Sequence, residues 1–151
     1  MLINMKKSSF MKTELIYLGF VISSNELKMD PEKMKAIIEW SSPRSMFEVR
    51  IFHGLAIFYR KFIRDFNGIC APMMDTVKKK HKYFKWTEES ERRFNILKEK
   101  IKKRPILVLP NFEKTFQVRC DASGVAIGAV LSQDNRCVAY FSEKLNETKR
   151  K

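Results

Sequence analysis

The stretch SMFEVRIFHGLAIFYRKFIRDF, residues 45–66, sets the character of the first half of the chain. Ser45, with Glu48 three positions later, forms a capping box that starts a helix. Apolar side chains then recur at steps of three and four residues as far as Phe66, and Asn67-Gly68 provides a stop signal. The pattern predicts one continuous amphipathic helix over this stretch.

Helix starts also occur on both sides of this stretch. Asp30-Pro31 combines an N-cap residue with a proline at the first helical position, and Thr87 precedes a run of acidic residues. We expect Pro72 to open a short helix over residues 69–77, and Arg104-Pro105 to end the helix that Thr87 begins. The chain is therefore predicted to be mainly helical between about residues 30 and 104.

Two regions have β character instead. Residues 14–27 are predicted to form a hairpin that turns at residues 23–26, with Gly19 marking a bulge or a close backbone approach. Residues 116–141 hold three short runs of β-forming residues separated by turns, which predicts an antiparallel meander. Its first strand alternates polar and apolar residues up to Asp121 and should be half-buried. The predicted fold class is α+β.

The composition narrows the class of partner. The 151 residues carry a net charge of +13, and 44% of them are hydrophobic, which is enough to build a core. A basic chain of this size commonly binds nucleic acid, although a solvated basic surface without a specific partner remains an alternative. No apolar run is long enough to predict a membrane span, so we expect no membrane partner.

The three cysteines, Cys70, Cys120 and Cys137, are widely spaced and form no CxxC pair. This pattern predicts neither a disulfide framework nor a zinc site. His53 and His81 likewise have no potential ligands at metal-binding spacing, so we expect no metal there. Reduced thiols and the absence of a signal peptide favour an intracellular, non-secreted protein whose compartment the sequence leaves open.

Motifs in a fixed order resemble the Pol polyproteins of Ty3/gypsy retrotransposons over nearly the whole chain from about residue 14. They are YLGFVIS (17–23), DPEK (30–33), EVR (48–50), HGLA (53–56), FYRKFI (58–63), AP (71–72), FKWT (84–87), PNF (110–112), DAS (121–123) and GAVL (128–131). Two positions depart from the pattern: His53 stands where an apolar residue, commonly Leu, is usual, and Asn67 replaces a usual Ser.

The resemblance implies a division into four segments. Residues 1–29 would end the palm of a reverse transcriptase with a primer-grip-like hairpin, and residues 30–80 would form a thumb-like helical subdomain. Residues 81–110 would connect it to a partial RNase H-like domain, residues 111–151, whose antiparallel sheet is cut after its third strand. The parent activity implied is RNA-directed DNA polymerisation together with hydrolysis of RNA–DNA hybrids.

The resemblance also implies a nucleic-acid interface. Arg50, Gly54 and Phe58 are spaced four apart and share one helix face, which would lie along the minor groove of a template–primer or RNA–DNA duplex. Phe58 could instead belong to the core. Phosphate contacts and the primer-grip-like turn would come from two further groups. The residues implied to contact phosphates are Arg60, Lys61, Arg64, Lys78, Lys79 and Lys80. A solvated basic face is the alternative explanation of these six. The residues implied to form the primer-grip-like turn are Tyr17, Leu18 and Gly19.

Asp121 is the candidate catalytic and metal-binding residue. By resemblance it corresponds to the RNase H aspartate that binds Mg²⁺, but two-metal hydrolysis needs several converging carboxylates around ions about 3.5–4 Å apart. Glu143 and Glu147 are poorly placed to supply them, and a hydrogen bond within a turn explains Asp121 equally well. The sequence contains no Tyr-x-Asp-Asp box. We therefore expect an incomplete site that binds no Mg²⁺ stably.

Three hypotheses about function follow. The chain binds a duplex without catalysing a reaction; or it retains RNase H activity completed by carboxylates from another Pol chain; or it is the non-functional remnant of a decayed element. We favour the first, which the shared helix face and the basic stretches support.

Overall fold

The computed structural model describes residues 10–78, 83–103, 105–122 and 126–145. Seven strands and four α-helices occur in these ranges, with helices concentrated in the middle of the chain. The predicted α+β class is confirmed. Residues 79–82, where the predicted thumb-like subdomain meets the predicted connection, lie outside the described residues.

The first sheet has four strands in the order β1-β2-β3-β4. They are β1 (Glu14–Tyr17), β2 (Phe20–Ser23), β3 (Glu26–Met29) and β4 (Leu107–Val108), all antiparallel to their neighbours. The predicted single hairpin was wrong, because Leu18 and Gly19 form a tight turn of their own, with φ of 49° and 77°. A second tight turn follows β2, so three strands fit where two were expected.

Four helices follow, each with an identifiable start or stop. They are α1 (Pro31–Ile38), α2 (Met46–Ile57), α3 (Phe66–Asp75) and α4 (Glu88–Lys102). The predicted N-caps Asp30, Ser45 and Thr87 are confirmed, since each side chain accepts a hydrogen bond from a backbone N–H of the first turn. These bonds satisfy donors that a helix leaves unpaired at its N-terminus.

The continuous helix predicted over residues 45–66 was wrong. Helix α2 ends at Ile57, a 3-10 turn covers Arg60–Phe62, and Ile63 is extended. Asp65 then adopts a left-handed conformation, with φ of 58°, that restarts the chain as α3. Aspartate tolerates this conformation better than most residues, so the break is local and periodicity alone does not reveal it.

Gly68 has a different role from the predicted stop signal. It lies in the first turn of α3, and the Asp65 carboxylate occupies the space where a Cβ at residue 68 would stand. The glycine therefore accommodates a close side-chain approach. Pro72, predicted to open the helix, lies inside it, and its carbonyl oxygen accepts a hydrogen bond from the Ser90 hydroxyl of α4 at 3.2 Å.

The hydrophobic core lies between these helices and the first sheet. Phe52, Phe66, Phe94, Leu97 and Ile101 are among its fully buried side chains, and the rings of Phe52 and Phe94 lie 4.6 Å apart. Met29 of β3 and Leu107 of β4 belong to the same cluster. Burial of such side chains contributes about 1.5–3 kcal/mol each, so the core fixes the direction in which the outer face of α2 points.

The second sheet is the predicted three-stranded meander. Its strands are β5 (Gln117–Ala122), β6 (Ala126–Gln133) and β7 (Arg136–Lys144), in the order β5-β6-β7. Asp134 and Asn135, both with positive φ, make the tight turn between β6 and β7. The expectation that the first strand is half-buried was wrong, since all six residues of β5 are exposed. In the described residues β5 pairs only with β6.

Strand β7 attaches this sheet to the helices. The Asn67 backbone N–H donates to the Ser142 hydroxyl at 3.0 Å, and the Asn67 side-chain amide donates to the Ser142 carbonyl at 2.5 Å. Cys137 and Tyr140 of β7 pack against the hydrophobic core. One face of the sheet is therefore turned toward the start of α3.

Candidate nucleic-acid interface

Helix α2 buries one side and exposes the other. Val49, Phe52 and Ala56 face the core, so the helical repeat directs the positions on the opposite side outward. The outward positions, which continue from α2 to its C-cap Phe58, include four exposed large apolar side chains and are Phe47, Arg50, Ile51, Gly54, Leu55 and Phe58. An apolar face that remains exposed on a folded chain marks an interaction surface.

Two of the predicted binding residues lie in the middle of this outward face. Arg50 is exposed, and no salt bridge engages its guanidinium within the described part of the chain. Gly54 is also exposed, and a Cβ built there would meet no atom within 4 Å. No packing contact in the described part of the chain therefore requires a glycine at this helical position, where glycine costs about 1 kcal/mol relative to alanine.

The Leu18–Gly19 turn meets the end of α2. Leu18 is 69% exposed, whereas a Cβ on Gly19 would lie 3.2 Å from Phe58 Cε1. Phe58 itself is 48% exposed and stacks on Phe20 with the ring centroids 4.8 Å apart. It thus lies at the edge of the core and still presents surface to solvent. We call the outward residues of α2, together with Tyr17, Leu18 and Gly19, the α2–turn face.

The predicted phosphate-binding residues do not all lie together. Arg60 is exposed at the start of the 3-10 turn. The Lys61 ammonium lies 4.1 Å from the centroid of the Phe20 ring, and its burial lowers the pKa of that lysine. Lys78 forms an ion pair with Asp75 of α3, while Lys79 and Lys80 lie outside the described residues. Lys61 and Lys78 are therefore engaged within the protein.

Arg64 and Asp121 line a different feature, an open cleft of about 650 Å³ between the second sheet and the start of α3. In the register of the sheet, Asp121 lies opposite Gly128 and Gly128 lies opposite Ser142, so the three positions share one face. Ser142 is bonded to α3, which makes this the face turned toward the helices. Asp121 itself is exposed at the far strand.

The described lining of the cleft supplies only part of the ligand set that a two-ion site at Asp121 would need. Its charged lining consists of three guanidinium groups, from Arg64, Arg93 and Arg119, and two carboxylates, from Asp65 and Asp121. Among the described residues, no group of three or more His, Cys, Asp or Glu side chains could hold a metal ion. Glu143 occupies β7 opposite Ile127, and Glu147 and His81 lie outside the described residues. Mg²⁺ needs several oxygen ligands, more than the two carboxylates of this lining supply.

Sequence reasoning missed three residues of these surfaces. Arg93 and Arg119 reach the cleft from α4 and β5, two elements that are far apart in the sequence. Tyr59 is 3% exposed, and its hydroxyl donates a hydrogen bond to the Gly19 carbonyl at 2.9 Å. The aromatic run of residues 58–62 contained this tyrosine, but its periodicity does not distinguish a core ring from one with a specific polar partner.

None of the helices that the structure describes is long and apolar enough to cross a membrane.

Comparisons with known proteins agree with this architecture. Residues 86–151 match the family model described as an RNase H-like domain found in reverse transcriptase. The retrovirus-related Pol polyprotein from transposon 297 of Drosophila melanogaster is 39% identical over 145 residues, covering 96% of this chain and 14% of the polyprotein. The Pol polyprotein from transposon gypsy of the same species is 37% identical over 158 residues, covering 97% of this chain and 15% of the polyprotein.

The fold has a solved counterpart. The structure of the foamy viral protease–reverse transcriptase in complex with RNA/DNA hybrid superposes with a TM-score of 0.84 at 25% sequence identity, covering 97% of this chain and 20% of the viral chain. RNase H-like and reverse transcriptase domains generally use divalent metal ions. The chain spans about one seventh of the transposon polyproteins it matches. It belongs to the family of retrotransposon Pol polyproteins, as a segment that includes an RNase H-like domain of reverse transcriptase.

Proposed function

We propose that this chain binds an RNA–DNA hybrid or a template–primer duplex through the α2–turn face. The observation that carries the proposal is the exposed outward side of α2, where apolar side chains surround Gly54, whose Cβ position is open, and Arg50, which forms no salt bridge with the residues that the structure describes. A nearly uncharged surface of this kind suits the sugars of a minor groove better than a row of phosphates.

Six residues of the face have a proposed role. Gly54 lets the backbone of α2 approach the groove closely, because any side chain there would project toward the nucleic acid. Arg50 contacts a phosphate or a base edge, and Phe58 packs against sugars with the exposed part of its ring. Tyr17, Leu18 and Gly19 hold the primer end as a primer-grip-like turn. The conformation of Leu18, with φ of 49°, presents its side chain at the tip of this turn.

Further phosphate contacts come from Arg60 and, beside the cleft, Arg64. Lys78 joins them only by giving up its ion pair with Asp75, and Lys61 only by leaving the Phe20 ring. Lys79 and Lys80 would extend the basic stretch. The net charge of +13 supports a strongly salt-dependent association with a polyanion. The viral relative of the same fold, which was solved with RNA/DNA hybrid and with dsDNA, supports this class of partner.

We infer that the parent polyprotein combines RNA-directed DNA polymerisation with Mg²⁺-dependent hydrolysis of hybrids. Within it, residues 1–29 would end the palm, residues 30–80 would form the thumb, residues 81–110 the connection, and residues 111–151 the start of the RNase H-like domain. Asp121 would contribute one ligand to a Mg²⁺ site whose other carboxylates lie elsewhere in the polyprotein or in another Pol chain. The described residues alone support binding of a duplex without its cleavage.

The test uses two substitutions that differ in what they do to the fold. Gly54→Ala adds a methyl group in open space, so it should raise the free energy of unfolding by about 1 kcal/mol while weakening hybrid binding. Arg50→Glu should weaken binding by about tenfold or more, since a close charge contact becomes a repulsion. Binding is measured by fluorescence anisotropy of a labelled RNA–DNA hybrid at several salt concentrations, and unfolding by urea titration.

Two control variants make the result specific. Lys103→Glu applies the same change of charge at the exposed end of α4 and should affect hybrid binding much less than Arg50→Glu. Ala36→Gly, on an exposed position of α1, should lower stability by about 1 kcal/mol without changing affinity. Equal losses of affinity for Arg50→Glu and Lys103→Glu would show that the α2–turn face is not the binding site.

A further inference from the structure

The carbonyl oxygen of Gly19 joins three elements of the fold. It accepts a hydrogen bond from the Tyr59 hydroxyl at 2.9 Å and another from the Asp30 backbone N–H at 3.1 Å. Gly19 lies in the turn between β1 and β2, Asp30 caps α1, and Tyr59 follows the end of α2. One backbone atom therefore fixes the turn relative to both helices.

Packing restrains the turn from the same side. A Cβ on Gly19 would lie 3.2 Å from both Phe58 Cε1 and the Tyr59 hydroxyl, so α2 touches the backbone of the turn directly. Phe20, the next residue, stacks on Phe58 and meets the Tyr59 ring edge-on at 5.7 Å between centroids. The exposed tip at Leu18 thus rests on a backbone that is held in place from the C-terminal end of α2.

The Tyr59 side chain is suited to act as a permanent donor. Burial and the negative charge of Asp30 raise the pKa of Tyr59 to about 12. The hydroxyl therefore keeps its proton at any pH at which nucleic-acid binding is measured. Its ring is buried among Phe20, Phe58 and Phe62, so it makes no contact with a ligand on the α2–turn face.

We propose that Tyr59 is a positioning residue, which holds the Leu18–Gly19 turn at the distance from α2 at which both contact one duplex at the same time. The inference rests on the function proposed above. Its physical basis is preorganisation: two contacts on one rigid body bind together, whereas a turn free to move must be ordered during binding at a cost in affinity. Without the Tyr59 hydroxyl, the Asp30 N–H would still hold Gly19 to α1. The position of the turn relative to α2 would lose its hydrogen bond.

A double-mutant cycle tests this role. Tyr59→Phe removes only the hydroxyl, and Leu18→Ala truncates the tip of the turn. The dissociation constant for the RNA–DNA hybrid is measured for the wild type, both single variants and the double variant, at a temperature at which urea titration shows all four to be folded. We expect Tyr59→Phe to raise the dissociation constant by about three- to tenfold, which corresponds to the net free energy of one hydrogen bond.

The coupling between the two positions separates positioning from a general structural role. Leu18→Ala should weaken binding in the wild type and have little further effect beside Tyr59→Phe, since the turn then no longer contributes. Phe47→Ala, at the opposite end of α2, should have the same effect in both backgrounds. A residue that only stabilises the fold would lower the free energy of unfolding and leave the two losses of affinity independent of each other.

Three outcomes would count against the inference, and they are distinguishable. Independent effects of Tyr59→Phe and Leu18→Ala overturn the positioning role alone, provided that Arg50→Glu still weakens binding. An unchanged dissociation constant for Tyr59→Phe also overturns the positioning role alone. No binding by the wild type, or binding that is insensitive to Arg50→Glu, overturns both this inference and the proposed function.

Discussion

At the scale of single residues, His53 is half-buried on α2, with its ring 6.0 Å from that of Phe66. Burial lowers the pKa of His53 from its ordinary value of 6.5. The folded state therefore resists protonation at this position, whereas the unfolded chain accepts the proton as the pH falls through about 6.5. His53 consequently leaves the free energy of unfolding unchanged above about pH 6.5 and lowers it below that pH.

His53→Leu should remove this dependence. The leucine fills the same half-buried site without a titrating group and favours the helix. The difference in free energy of unfolding between variant and wild type should grow in favour of the variant between pH 7.5 and pH 5, as measured by urea titration at each pH. A difference that stays constant across this range would mean that His53 titrates equally in the folded and unfolded chains.

At the scale of elements, the N-terminal end of α4 is held by one carboxylate. Glu91 accepts hydrogen bonds from the Trp86 indole at 2.6 Å and from the Ser42 hydroxyl at 2.8 Å. The Trp86 bond is the main cause that holds the pKa of Glu91 below its ordinary value of 4.5. The ionised form thus stabilises the fold above about pH 4.5, and this contribution disappears as the pH falls through the lowered pKa.

Trp86→Phe should weaken the dependence of the free energy of unfolding on acid pH that Glu91 causes. The phenyl ring keeps much of the packing against Phe94 but cannot donate to Glu91. Free energies of unfolding between pH 5.5 and pH 3 should fall less steeply than in the wild type. Glu91→Gln is the matched control, because it removes the titrating group and keeps the tryptophan, and it should flatten the same range. A wild-type slope in both variants would contradict the assignment.

At the scale of the whole molecule, the second sheet is attached to the helices largely through β7. Asn67→Ala should remove the amide bond to the Ser142 carbonyl and lower the free energy of unfolding by about 0.5–1.5 kcal/mol. The sheet should also loosen, so trypsin should cut faster after Arg119 and Arg136. Asn95→Ala, which removes an exposed amide bond within α4, should leave both cleavage rates unchanged. Equal rates for all three proteins would show that the sheet holds without this contact.

The same scale explains which parts of the fold were predictable. Helix starts at Asp30, Ser45 and Thr87 depend on side-chain bonds within three residues, so the sequence determined them. The break between α2 and α3 depends on the left-handed Asp65, and the pairing of β3 with β4 joins Leu27 to Leu107. Neither has a local signal, because one is a single backbone conformation and the other joins distant segments.

The candidate site divides in the same way. The order of motifs, the basic composition and the shared helix face of Arg50, Gly54 and Phe58 follow from the sequence by itself, since helical periodicity is a local property. Only the tertiary structure decided that Gly19 meets Tyr59 and that the Lys61 ammonium lies over Phe20. It also decided that Asp121 lines the same cleft as Arg64, Arg93 and Arg119. These relations depend on how the core orients separate elements, and burial of apolar side chains from the whole chain sets that orientation.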